Sequence, residues 1–249
     1  AVAAATDEGR ALQDYVDRLR AEQRRLRELS RDATRESTPF EPQSKFDISP
    51  GPNDFDVSLT YNSRLNEYLI AWWNYSFGVW VQRLSASGST IGSPVRATYT
   101  TASMRPAVAY SPTSRKYILV AGSGAAQSVV YLGEDGVPLG PPTRLDDRTP
   151  PPDSTIGSFG YVDAVWRSAQ DQFLIVWQAY TTGFGFYIGS VVGELVSASD
   201  GSILRNNVVL REESLWNVAN PALAYNAAQD DCFLVYESLG QKTSLDLWV

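Results

Sequence analysis

The hydrophobic pattern of this chain changes character once, near residue 40. Over residues 7–36 the apolar positions are Leu12, Tyr15, Val16, Leu19, Leu26, Leu29 and Ala33. Spacings of three, four and seven place them in one stripe along a helix. Thr6 followed by Asp7 and Glu8 supplies an N-cap and acids for a first turn. Thirty helical residues would span about 45 Å. The opposite face carries eight Arg and eight acidic residues, so its charge sums to nearly zero and it reads as a solvated face. The stripe formed by Leu12, Val16, Leu19, Leu26 and Leu29 has two expected partners. One is the domain that follows. The other is the same helix of a second chain, as a short coiled coil, although Gln23 and Ser30 interrupt a strict heptad seam. Pro39 and Pro42 then make an extended linker, which closes an N-terminal segment of residues 1–42.

Beyond the linker the period shortens to that of strands, and the strands repeat. Four segments align: Val57–Asn62 with Glu67–Trp72, Pro106–Ser111 with Lys116–Ala121, Val162–Arg167 with Gln172–Trp177, and Pro221–Asn226 with Asp231–Tyr236. Each pair reads as strand, polar turn, strand. The key aromatics Tyr61, Tyr110, Trp166 and Tyr225 lie 49, 56 and 59 residues apart. Seven residues after each comes Tyr68, Tyr117, Phe173 or Cys232. A second hairpin follows in the first three units, turning at Gly88, at Gly136 and at Gly201. Four short antiparallel strands per 40–50 residues describe a propeller blade.

The expected fold is therefore all-β: a small, four-bladed β-propeller closed by an N-terminal strand and preceded by one long α-helix. The blades fall at about 54–100, 105–147, 160–212 and 219–249 of a propeller domain spanning 43–249. Leu245–Val249 matches the third strand of the first blade, and residues 43–49 are expected to serve as the missing fourth strand. Such a closure removes exposed sheet edges. The competing reading is a fragment from which further blades are missing.

Composition narrows the chemistry. The chain has no histidine, which removes His-based nucleophile systems, His acid–base catalysis and His-ligated metals. Its one cysteine, Cys232, permits no intrachain disulfide and no Cys-rich zinc site. The net charge of −7 argues against nucleic acid as a partner. No apolar run approaches the ~18 residues of a membrane span. Ala1–Ala5 has the small residues that flank signal cleavage sites, so an extracellular, cell-surface or periplasmic mature form is expected.

The units resemble the repeats of β-propellers found among bacterial secreted and surface proteins. The resemblance is carried by the Pro-Ala-x-Ala-Tyr-Asn and Tyr-Leu-x-x-Trp pairs, a Gln-Arg-Leu-Ser-Ala-Ser-Gly turn and a Gly-x-Pro-x-Arg strand. It implies an architecture and leaves the activity open.

The key aromatics are expected in the core between blades. Aromatics outside the repeat pattern are the candidate ligand or partner contacts: Trp73, Tyr75, Phe77, Tyr180, Phe184, Phe186, Tyr187 and Trp216. Several of these fall in what reads as loops joining second and third strands, on one rim. Exposed aromatics with Asn, Ser and Thr neighbours suit sugar stacking, a protein interface, or the packing of a small propeller. Ser197–Gly201 and Gly133–Gly136 resemble the Asp-box turn of sialidase propellers without its following aromatic, so simple hairpin turns are expected.

The preferred expectation is a non-enzymatic exported binding or assembly module. Its rim would recognise a protein and its helix would dock or oligomerise it. A glycan-binding lectin is one alternative. A glycosidase using two carboxylates from among Asp56, Asp163 and Asp246 is the other. No cofactor and no metal site is expected. Asp146-Asp147 and Asp230-Asp231 read as solvated turns, since no Asp-x-Asp-x-Asp-Gly loop exists.

Overall fold

A computed structural model of the chain describes residue 48 and residues 53–99, 105–122, 127–145, 154–183, 186–214, 218–238 and 244–248. The chain divides into two units, Ala1–Asp47 and Ile48–Val249. The expected helix with Leu12, Val16, Leu19, Leu26 and Leu29 lies outside the described residues, as does the closing strand except for Ile48.

The second unit is all-β among its described residues and forms four antiparallel sheets. Blade 1 contains β1 (Asp54–Asn62), β2 (Glu67–Asn74), β3 (Gly78–Ser85) and β4 (Thr90–Thr98). Blade 2 contains β5 (Ala107–Ser111), β6 (Lys116–Gly122), β7 (Gln127–Gly133) and β8 (Thr143–Arg144). Blade 3 contains β9 (Ser154–Arg167), β10 (Gln172–Gly183), β11 (Phe186–Ser197) and β12 (Ile203–Ser214). Blade 4 contains β13 (Val218–Asn226), β14 (Asp231–Ser238) and β15 (Ser244–Trp248). Strands pair in chain order within every blade, and β5 touches both β1 and β9 while β9 touches β13. The first strand of each blade is thus innermost. This is the arrangement of a propeller.

The registers follow the repeat. Tyr61 lies opposite Tyr68, Tyr110 opposite Tyr117, Trp166 opposite Phe173 and Tyr225 opposite Cys232. Alternation then sends every second side chain to one neighbouring blade. Leu69, Ala71, Val79 and Val81 of blade 1 pack on Val108, Tyr110, Tyr117 and Leu119 of blade 2. Ile118, Val120 and Val129 of blade 2 pack on Ala164, Phe173, Ile175 and Trp177 of blade 3. Val176 and Val191 of blade 3 meet Leu234, Tyr236 and Leu223 of blade 4. The core is therefore three apolar seams between blades. Each large side chain buried in a seam, such as Phe173 or Leu119, contributes about 1.5–3 kcal/mol.

The key aromatics do more than fill these seams. Five residues after each stands a residue with left-handed backbone: Asn66 (φ 55°), Arg115 (φ 57°), Asp171 (φ 49°) and Asp230 (φ 53°). It ends the first hairpin turn of its blade. In three blades it accepts a hydrogen bond from the aromatic itself: Tyr61 Oη to Asn66 at 2.8 Å, Trp166 Nε1 to Asp171 at 2.8 Å and Tyr225 Oη to Asp230 at 2.9 Å. The carboxylates then reach the preceding blade. Asp171 receives Ser111 and Ser114, while Asp230 receives Gln170 at 2.7 Å and Arg167 at 3.3 Å. In blade 2 the turn residue is Arg115 instead, and the carboxylate is Glu134 on the next hairpin. Tyr110 Oη donates to Glu134 at 2.6 Å, and Arg115 and Arg64 of blade 1 complete the cluster. Each seam thus ends in a carboxylate latch. The expectation that Tyr61 is core is corrected: it is 47% exposed.

Two outcomes follow. Asp171→Ala strands the Ser111, Ser114 and Trp166 donors, so a loss of about 1–3 kcal/mol is expected in denaturant unfolding. The second concerns acid. Glu134 and Asp171 both sit below the ordinary carboxylate range, although burial opposes this, because Tyr110 and Arg115 donate to the one and Ser111, Ser114 and Trp166 to the other. Asp230 is lowered too, by Gln170, Tyr225 and Arg167. Depressed values in the folded state give stability that is present above the unfolded carboxylate range and is lost as pH falls through the folded values. Thermal unfolding followed against pH should show that loss, with a shallower slope in Asp171→Asn.

Candidate functional site

Residues of all four blades line an open cavity of about 400 Å³. It is lined by Val57 and Ser58 from blade 1, by Arg105, Pro106 and Ala107 from blade 2, by Tyr161, Val162 and Asp163 from blade 3, and by Asn220, Pro221, Ala222 and Glu237 from blade 4. The volume suits a small ligand or one or two sugar rings.

The mouth of this cavity is built by a second use of the repeat. Five residues before each key aromatic stand Asp56, Arg105, Tyr161 and Asn220. Three of them hold left-handed backbone: Asp56 (φ 44°), Arg105 (φ 57°) and Asn220 (φ 50°). The ladders slip at the same place, between Phe55 and Val57 in β1 and between Ala219 and Ala222 in β13. Each bulge re-aims the strand where it meets the cavity. Strained non-glycine residues of this kind persist where the surrounding structure imposes them, and they cluster at working sites.

Asp163 is the chemically notable group. Its Oδ2 accepts the Leu223 amide of blade 4 at 2.7 Å, and its Oδ1 accepts the Ala164 amide at 2.9 Å. Burial raises its carboxyl above the ordinary range. The two amide bonds and the nearby Arg105 charge pull the other way without cancelling that rise. The same position in blade 1 is Ser58, whose Oγ accepts the Val108 amide of blade 2 at 3.2 Å. Ser58 shows that clasping the next blade needs only a hydroxyl. The carboxyl at 163 is more than the clasp requires.

Glu237 also lines the cavity, and its Oε2 accepts the Asn220 amide group at 2.9 Å. The other side-chain atom of Asn220, Oδ1, is buried with no hydrogen-bond partner. A buried acceptor left open beside a cavity is ready for a ligand hydroxyl.

The sequence-derived aromatics divide. Trp73 lies in β2, and Tyr75 and Phe77 lie in the turn to β3. Phe55 and Trp73 are 5.9 Å apart, and Trp73 meets Tyr75 edge-on at 5.7 Å. Phe55, Tyr75 and Phe77 are exposed. Asn74 holds this turn, taking the Ser76 and Phe77 amides and donating to Asp54 at 2.7 Å. Gly78 is required after it, since a Cβ there would sit 2.2 Å from the Thr98 carbonyl oxygen. Phe55 was not anticipated as part of this strip; its pairing with Trp73 across β1 and β2 could have shown it. The expected loop at Tyr180–Tyr187 is corrected. Tyr180 belongs to β10, and Phe186 and Tyr187 to β11, because the hairpin pairs as far as Gly183 and Phe186. Phe184 and Trp216 lie outside the described residues.

The carboxylate candidates divide as well. Asp163 lines the cavity; Asp56 does not, and sits in the β1 bulge beside the lining residue Val57. Asp246 sits in β15 opposite Leu234, away from the lining. Asp230 is committed to its latch. Glu237 and Arg105 were missed. Glu237 follows the repeated second-strand motif by one residue, where the sequence repeat carries no signal. The turn at Ser197–Gly201 is a hairpin, as expected, with Gly201 at φ 79° and Asp200 holding Ser202. No helix among the described residues is long and apolar enough to cross a membrane.

No family model and no curated protein matches the chain. Solved structures share its general shape. An α-L-arabinofuranosidase from Clostridium thermocellum is 13% identical with a TM-score of 0.45, over 74% of this chain and 60% of that one. The Dos1 propeller is 7% identical with a TM-score of 0.36, over 77% and 54%. A GH43 endo-arabinanase from Bacillus licheniformis is 10% identical with a TM-score of 0.25, over 81% and 96%. The chain thus spans about 60% of the first enzyme's length. The likeness concerns shape alone, in keeping with the β-propeller drawn from the sheets above. Two of these neighbours are glycosidases by name, and the expectation of a non-enzyme is not carried forward.

Because the Asp163 carboxyl is raised in the folded state, its contribution runs opposite to the latches. Stability from this group falls as pH rises from the unfolded value through the folded one. Subtracting the pH profile of Asp163→Ser from that of the wild type, by thermal unfolding, should isolate a difference of that sign.

Proposed function

We propose that the chain is a carbohydrate-active propeller that cleaves glycosidic bonds in its axial cavity. The observation that supports this most is Asp163, a carboxyl held above its ordinary range by burial in a ligand-sized cavity. An upward shift is the direction a group needs to protonate the leaving glycosidic oxygen. Glu237 is the second carboxyl such a reaction needs, acting on water or directly on the sugar carbon. Arg105 and the open Oδ1 of Asn220 are placed to hold hydroxyl groups of the sugar. The strip of Phe55, Trp73 and Tyr75 offers flat apolar faces on which further sugar rings stack. Residues 1–42 would then dock the propeller to a partner or to its own kind.

The test is turnover on a panel of polysaccharides and aryl glycosides, with product analysis. Asp163→Ser preserves a clasp of the Ser58 type, and Glu237→Gln alters a side chain bonded only to Asn220. Each should lower kcat by about 10²–10⁴-fold while tryptophan fluorescence reports an intact fold. Trp73→Ala with Tyr75→Ala should instead raise KM for polymers and leave short aryl substrates little changed. Wild-type protein without turnover on any member of the panel sinks the proposal. So does Asp163→Ser with full activity.

A further inference from the structure

Among the described residues that line the cavity, Arg105 is the only basic one. It is exposed, and its side chain forms no hydrogen bond or ion pair with any described residue. Other arginines are employed within the protein. Arg64, Arg83, Arg115 and Arg167 each bond a carboxylate, and the Arg96 guanidinium lies 3.8 Å over the Tyr99 ring. Two carboxyls share the cavity with Arg105, and it pairs with neither. Asp163 gives both its oxygens to the Leu223 and Ala164 amides, and Glu237 holds Asn220. The Arg105 charge is nonetheless near enough to pull on the Asp163 carboxyl.

The frame does not call for this charge. The equivalent positions of the other blades carry Asp56, Tyr161 and Asn220. Asn220 takes up nearly the same backbone with a neutral side chain, at φ 50° against 57° for Arg105. Asn adopts that left-handed shape more readily than a long side chain does. Blade 2 therefore keeps an uncommon conformation and places an unpaired cation on a ligand-sized cavity. Strained positions of this kind cluster where a ligand is met. The same cavity offers the buried, open Oδ1 of Asn220, which is an acceptor. A charged donor and a neutral acceptor together describe a ligand with an acidic group and a hydroxyl.

We infer, resting on the reading of this cavity as a sugar site, that its ligand is a uronic acid, with the sugar carboxylate held by the Arg105 guanidinium and a hydroxyl taken by Asn220 Oδ1. A guanidinium presents parallel N–H donors that match the two oxygens of a planar carboxylate. A neutral sugar leaves the Arg105 charge unbalanced, and one carboxylate balances it. A phosphate ester brings nearly two charges, which puts a surplus beside Glu237.

Short oligomers of galacturonic, glucuronic and mannuronic acid, each beside its own methyl ester, are titrated into the full chain by calorimetry, together with a sulfated oligosaccharide. The ester keeps the ring and its hydroxyls and removes the charge. At least one uronate is expected to bind about tenfold or more tighter than its ester, and more weakly as salt rises. Arg105→Asn copies the residue that blade 4 carries in this backbone shape, so its thermal unfolding should match the wild type while the preference over the ester disappears. Arg105→Lys keeps the charge without the fork and should retain part of it. Uronates that bind no better than their esters overturn the inference in the wild-type protein, with no variant needed. A preference that survives Arg105→Asn overturns it too, as does binding of the sulfated sugar alone. Turnover confined to neutral glycans overturns the acidic ligand and leaves the glycosidase reading standing. Arg105-dependent uronate binding without cleavage of any polymer upholds the ligand and removes the glycosidase.

Discussion

The structure depends on how one blade is tied to the next. Apolar seams supply most of the stabilisation, but they are slippery surfaces of Val, Leu, Ile and Ala. What fixes blade against blade is the latch at the end of each seam. A left-handed turn residue or its neighbour presents a carboxylate, the blade's own aromatic donates to it, and the preceding blade supplies further donors. The aromatic is therefore both filler and handle. Its ring enters the seam, and its polar atom reports to the turn five residues on. That double duty explains why Trp166 can replace Tyr: an indole N–H serves where a hydroxyl does.

Blade 2 shows that the latch is a physical requirement and not a sequence word. Arg115 occupies the turn position, where a carboxylate would be expected from Asp171 and Asp230. The charge has simply moved to Glu134, and Tyr110 has followed it. Arg64 from blade 1 reaches the new place. The partners changed together, and the blade kept its position.

Much of this was legible in the sequence, because the repeat is carried by large side chains at fixed offsets. The four blades, their strands and their turns could be read from Tyr61, Tyr110, Trp166 and Tyr225 with the motifs that follow. Asp163 could be singled out as a carboxylate near a strand start. Its partners could not. Arg105 reaches the cavity from the segment before β5 and Glu237 from the end of β14, and neither position has a hydrophobic period to reveal it. The Tyr180–Tyr187 segment misled for a related reason. Thr and Gly between aromatics look like a loop, yet long-range pairing of β10 with β11 overrode the local composition. Tyr61 misled because its neighbours along the chain are those of a core residue, although its side chain is exposed.

The bulges at the mouth of the cavity carry one more consequence. Asp56, Arg105 and Asn220 hold an uncommon backbone shape without glycine, and each bears a different functional group. At Asp56 and Asn220 the ladders on either side impose the shape, so it does not depend on which side chain is present. The propeller behaves there like a socket with interchangeable bits. Side chains can change at these three points while seams and latches keep the frame unchanged.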